Sequence, residues 1–170
     1  MRRQLQGFTL IEVLVVVFII GVILGFATLS LGGRSLDDRL EQDATRLHRV
    51  LELALEEAVL TTTEIGFATA DEGYVFVVRG EDGWQPLEAS RGPLRAHRFD
   101  YPAKIEMQDL PAALATAAAE DEGPRPVALL LSSGELTPFT LLLSAPGVDR
   151  RYRISGRPDG LLQRTAEPLS

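Results

Sequence analysis

Residues 8–31 read FTLIEVLVVVFIIGVILGFATLSL, a block of twenty-four in which seventeen are Leu, Ile, Val or Phe and the single charge is Glu12. As a helix rising about 1.5 Å per residue the block is roughly 36 Å long, enough to cross a hydrocarbon core of about 30 Å with some tilt. At about −0.3 to −0.6 kcal/mol each, the apolar side chains outweigh the roughly +3 kcal/mol of a mid-membrane carboxylate, and Glu12 lies near the end of the block, where it costs less. A single span over 8–31 is therefore expected. A secretory signal fits less well, because its apolar stretch is about 7 to 15 residues long and only Ser30-Leu31-Gly32 resembles an exit. A buried core helix is rarely apolar all round for so long, and so hydrophobic a segment argues against reading Arg2-Arg3 as a twin-arginine signal. Basic residues do not orient the span, since Arg2 and Arg3 precede it and Arg34, Arg39 and Arg46 follow, but a long following domain translocates largely regardless of charge. Glu12 itself calls for a neutralising partner in the membrane, the alternative being a side chain that snorkels to the interface.

Outward from the block, the chain has 170 residues, 45% hydrophobic and 24% charged, which fits one domain or a small domain with an appendage. Cysteine is absent, so thiolate metal sites, thiol catalysis and disulfides are excluded. The net charge of −7 disfavours a protein that coats nucleic acid. After Gly32-Gly33-Arg34, Ser35-Leu36-Asp37-Asp38 has the form of a capping box. Leu36, Leu40, Ala44, Leu47, Leu51, Ala54 and Ala58 then recur every three or four residues, with Asp38, Gln42, Arg49, Glu52 and Glu56 opposite, so 35–60 is an amphipathic helix. Leu53 and Leu60 fall on its polar side, either to meet neighbouring subunits or simply exposed. From 61 to 170 the periodicity changes to that of strands, at 65–69, 74–79, 127–131, 139–144 and 151–155, with glycine-bearing turns between them. The alanine-rich, then acidic and proline-bearing stretch 110–126 reads as a flexible loop. The fold class is α+β: a helix packed on an antiparallel β domain.

Positive signs of chemistry are few. His48 and His97 read as solvated side chains rather than a metal pair, and the acid pairs Asp71-Glu72, Glu81-Asp82 and Asp121-Glu122 each precede a glycine, as turns do. No nucleophile elbow, zinc-protease or phosphate-loop motif occurs, so no catalytic residue, metal ligand or cofactor is assigned and an enzyme is not expected. The one basic cluster is Arg150, Arg151, Arg153 and Arg157 around Tyr152. It is either a strand edge kept from aggregating by its charge or a contact for DNA.

The N-terminus carries a resemblance. MRRQLQG followed by FTLIEV is similar to the leader and start of type IV prepilins and type II secretion pseudopilins, with a short basic leader, Gly7, an aromatic Phe8 and an acid, Glu12, five residues into the product. The resemblance implies a leader of residues 1–7, cut between Gly7 and Phe8 by a cytoplasm-facing prepilin peptidase, and an N-methylated Phe8. Processing leaves 163 residues and a net charge of −9, from 15 basic and 24 acidic residues. It also gives Glu12 a partner, the Phe8 ammonium of an adjacent subunit, in a bundle where an unpaired charge is costly.

Farther along, Gly73-Tyr74-Val75-Phe76, Gly83-Trp84-Gln85-Pro86-Leu87, 132–139 (SSGELTPF) and Ile154-Ser155-Gly156-Arg157 resemble the globular domain of the minor pseudopilin H family of type II secretion systems. That resemblance implies a non-enzymatic assembly subunit with a single inner-membrane span and a periplasmic globular domain, helping folded exoproteins across the outer membrane. Its implied partners are the major and other minor pseudopilins and the inner-membrane secretion platform, with no nucleic acid. The alternatives are a minor pilin of a type IV pilus, with Arg151, Arg153 and Arg157 toward DNA, and a membrane-anchored periplasmic enzyme. Some DNA-uptake minor pilins carry Gly-Arg-x-Arg near the C-terminus, and Gly156-Arg157-Pro158-Asp159 departs from it with an acid in place of the second arginine.

Overall fold

The computed structural model describes residues 10–30, 35–80, 83–87, 92–108, 114 and 124–169, with side chains for all of these except 23–30. The chain divides into two units, Met1–Ser35 and Leu36–Ser170. The first contains α1 (Leu10–Ser30), whose large apolar residues from 10 to 22 are all exposed within the single chain. Among the described residues no helix is long and apolar enough to cross a membrane.

The second unit opens with α2 (Leu36–Thr61). Its buried stripe is Leu40, Ala44, Leu47, Leu51, Ala54 and Ala58, joined by Val50, as the three-and-four spacing requires. Leu36, expected on that stripe, is 41% exposed at the helix start, and Leu53 and Leu60 lie in solvent. The helix ends in a Schellman arrangement: the Thr63 amide donates to the Ala58 carbonyl (3.1 Å) and the Thr62 amide to Val59 (3.4 Å). Thr62 takes the left-handed position (φ 54°) that glycine usually fills.

Two antiparallel sheets receive the helix. In the first, β1 (Ile65–Ala70) lies between β2 (Gly73–Gly80) and β6 (Ala128–Leu130), and the far edge of β2 is shared by β3 (Gly83–Pro86) and the two-residue β4 (His97–Arg98). The second runs β5 (Lys104–Gln108), β7 (Phe139–Ser144), β8 (Arg150–Gly156), β9 (Leu162–Pro168). α2 packs on strands of both. The core between them holds Leu40, Leu47 and Leu51 from the helix, Phe67, Tyr74 and Phe76 from the first sheet, and Leu141, Leu143, Tyr152 and Ile154 from the second. Burying each such side chain contributes about 1.5–3 kcal/mol.

The 132–139 segment joins the sheets. Leu131 donates to the Glu135 carbonyl, Leu130 bridges Leu136, and Thr137 pairs with Leu129 through both its amide and its hydroxyl, which delivers Phe139 to the start of β7. Pairing of β4 with β2 depends on Gly73, because a Cβ there would stand 1.9 Å from the His97 carbonyl oxygen.

The strands expected at 65–69, 74–79, 127–131, 139–144 and 151–155 are β1, β2, β6, β7 and β8. Four more, β3, β4, β5 and β9, lie outside that expectation: β3 and β4 are only four and two residues long, β9 has one buried side chain, Leu162, and β5, Lys104-Ile105-Glu106-Met107-Gln108, alternates polar and apolar over five residues but buries none of them fully. β8 is an interior strand between β7 and β9, which corrects the strand-edge reading of its arginines. Most of the loop expected at 110–126 lies outside the described residues, though Leu114 is buried.

Candidate functional site

Of the processing and assembly residues, Gly7 and Phe8 lie outside the described residues, and Glu12 stands in the first turn of α1. A carboxylate there is favoured by the positive end of the helix macrodipole. Its neighbours Leu10, Ile11, Val13 and Leu14 are between 50% and 86% exposed.

α2 carries a second polar constellation that the sequence did not reveal. Asp43 Oδ1 accepts from His97 Nε2 at 3.1 Å, and Oδ2 accepts from the Tyr101 hydroxyl at 2.9 Å. Burial raises the Asp43 pKa, but the bonds from His97 and Tyr101 and the nearby charge of Arg46 outweigh it and hold the carboxyl below its ordinary value. Burial and the Asp43 carboxylate push the Tyr101 phenol well above the usual range, and burial raises Tyr74 too. His97 is therefore not the solvated side chain expected from the sequence; it is four-fifths covered, because β4 lays it against the helix. A groove of about 510 Å³ beside it is lined by residues that include Tyr74, Ala96, His97 and Arg98, and among the described residues no serine, threonine, cysteine or lysine lines it. Both carboxylate oxygens of Asp43 are already engaged. What the constellation does is fasten 97–101 to α2. His48, on the same helix, approaches Glu52 at 3.6 Å.

The arginines named for DNA contact are answered by acids of the same chain. Arg151 pairs with Glu167 on β9 (3.0 Å), Arg153 pairs with Glu167 and donates to Gln108 (2.8 Å), Arg157 pairs with Asp159 (3.1 Å) and Arg150 with Asp37 (3.0 Å). Arg153, then Arg151, holds the Glu167 carboxyl below its usual pKa. The cluster is a set of cross-strand and strand-to-helix ties, whose charge is largely spent within the fold.

A family model described as a prokaryotic N-terminal methylation motif matches residues 2–28, and one described as type II transport protein GspH matches residues 43–160. The chain belongs to the GspH family. Type II secretion system protein H of Pseudomonas aeruginosa is 35% identical over 158 residues, covering 88% of either chain, and that of Aeromonas hydrophila is 33% identical over 168 residues, covering 89% of this chain and 88% of the other. In structure, this GspH-family chain resembles the minor pseudopilin EpsH from the type 2 secretion system of Vibrio cholerae (TM-score 0.61, 24% identity, 76% of this chain and 98% of that one). It resembles the solution structure of Escherichia coli GspH as well (TM-score 0.58, 23% identity, 79% and 94%). These agree with the α+β architecture of a helix on antiparallel sheets. The chain is thus a minor pseudopilin of the type II secretion class, and the methylation motif with the family implies a membrane-anchored protein with a periplasmic domain.

Proposed function

We propose that this minor pseudopilin is a structural subunit of the pseudopilus, held by residues 8–31 in the inner membrane with its α+β domain in the periplasm, and that it helps move folded exoproteins across the outer membrane. The observation that carries this reading is the order of the two family matches, a methylation motif over 2–28 followed by a GspH domain over 43–160. The uncovered apolar surface of α1 supports it, since lipid or neighbouring helices must bury that surface. Prepilin peptidase cuts between Gly7 and Phe8, where a residue without a side chain lets the junction enter the peptidase extended. Phe8 is then methylated, and Glu12 offsets the Phe8 ammonium of an adjacent subunit as the helices bundle. The role is assembly, with the major and other minor pseudopilins and the secretion platform as partners, and no catalysis or cofactor.

Mass spectrometry of the membrane-extracted protein from cells holding the peptidase tests this reading. It should find a chain that begins at N-methylated Phe8, and Gly7→Leu should remain unprocessed. An intact Met1 terminus on the wild-type protein would overturn the assignment.

A further inference from the structure

The C-terminal end of α2 presents an apolar groove with an acidic border. Leu55, Glu56, Val59 and Leu60, together with Gly134 from the turn after β6, line an open space of about 440 Å³. Leu60 is 80% and Val59 45% exposed, although both are large aliphatic residues next to a complete core. The position of Gly134 is set by a close backbone approach: Gly160, at φ +81°, brings its α-carbon so near the Gly134 carbonyl that a Cβ would stand 2.5 Å from that oxygen. The groove thus has a defined wall as well as an apolar face.

Its electrostatics are one-sided. Glu52, Glu56, Glu57 and Glu64 lie on or just beyond this end of the helix, and no Lys or Arg occurs anywhere from residue 50 to residue 78. α2 has no basic residue in its last turn, so the negative end of the macrodipole is left without a cation of its own, and Glu56 and Glu57 lie within about one turn of it. A cation arriving here meets the carboxylates and the helix terminus together. The mature chain is itself strongly acidic, which opposes a second copy as the occupant.

We infer that this groove docks a segment of a different pseudopilin, one that offers an apolar side chain flanked by Lys or Arg. The inference rests on the reading of the chain as a pseudopilus subunit and specifies which surface and which partner chemistry the assembly uses. The apolar residue displaces water from Leu55, Val59 and Leu60, and the basic neighbours satisfy the acidic border, which gives both affinity and discrimination.

The test coexpresses the full chain with prepilin peptidase and with each other pseudopilin of its own system, and measures copurification in detergent at matched expression. Leu60→Asp and the double change Glu56→Lys/Glu57→Lys should each reduce recovery with one partner by about tenfold or more. Leu36→Ser, at the opposite end of the helix, should leave it unchanged. Leu60 and both glutamates are solvent-exposed, and circular dichroism of each variant should match wild type. Wild-type recovery of either groove variant overturns the inference, and loss with Leu60→Asp alone overturns the cationic partner. If the wild-type chain associates with no pseudopilin, the subunit reading fails together with this inference, whereas association that survives every change refutes the groove alone. Sedimentation of the chain by itself gives a last discrimination: a dimer abolished by Leu60→Asp would make the occupant a second copy, contrary to what we infer.

Discussion

Asp43 shows how one side chain is held by residues far from it in sequence and what that implies for stability. Its carboxylate joins α2 to His97 and Tyr101, 54 and 58 positions away. Because its folded pKa lies below the ordinary carboxylate value, it contributes stability that is present above the unfolded pKa, about 3.9, and lost as pH falls through the folded one. Tyr101 has the opposite sign. Its raised pKa gives stability that is full below about 10 and declines as pH rises above that, where the unfolded phenol ionises first. Asp43→Asn should therefore destabilise the globular unit by about 1–3 kcal/mol at pH 7, since the buried donors lose a charged acceptor, and the deficit should shrink toward pH 3. Urea midpoints at the two pH values check this; a deficit that does not change with pH would show that the carboxylate's charge is not what stabilises the clasp. Glu12 is governed by a different balance. Its carboxylate slightly opposes insertion, so Glu12→Ala should reach the membrane and be processed, yet crosslink less to neighbouring pseudopilins, because an uncompensated Phe8 ammonium in a buried pair costs about 3–5 kcal/mol. Undiminished crosslinking at matched expression would reduce Glu12 to a snorkelling side chain.

At the level of elements, the end of α2 carries a local conflict. Thr62 is β-branched and occupies a left-handed conformation, which costs an L residue roughly 1–2 kcal/mol, while the Schellman bonds to Ala58 and Val59 require that geometry. Thr62→Gly should relieve the strain, lose part of the gain to the greater freedom of glycine in the unfolded chain, and stabilise the domain by about 0.5–1 kcal/mol in urea unfolding. No gain would mean that the tertiary contacts of the turn, and not its backbone, set its energy. The helix was legible because its buried stripe follows the three-and-four period without interruption, and β1, β2, β7 and β8 because they alternate or are buried on both faces. β4 was not, being two residues long and held by pairing with β2, the close approach at Gly73 and His97, all of them non-local. β9 borders its sheet and exposes most of its side chains, so hydrophobic periodicity had little to register, whereas β5, at the other border, does alternate from Lys104 to Gln108 but over only five residues, with Ile105 and Met107 covered in part. The processing and assembly residues could be read from a contiguous motif, whereas the Asp43 clasp and the Leu60 groove arise only when segments distant in sequence meet.

The division of the whole molecule into two units separates the surface that needs covering from the domain that carries its own core. Leu36–Ser170 contains every strand among the described residues and the continuous cluster from Leu40 to Leu162, and at about this length a chain buries some two-thirds of the surface exposed on unfolding. A fragment from Ser35 to the C-terminus keeps the helix cap and loses the apolar block, so it should be soluble and unfold in one cooperative transition. It retains 14 basic and 23 acidic residues, a net charge of −9. With Arg151 and Arg153 committed to Glu167 and Arg157 to Asp159, phosphate contacts would require breaking ties that stabilise β8 against β9 while working against the overall field. Fluorescence anisotropy with labelled duplex DNA at about 150 mM salt should accordingly detect no micromolar binding, and Arg151→Ala/Arg153→Ala should change nothing in that assay while lowering the urea midpoint. Micromolar affinity that weakens with salt and vanishes in the double variant would show that these arginines leave their acids for DNA, and would move the chain toward the pilus reading.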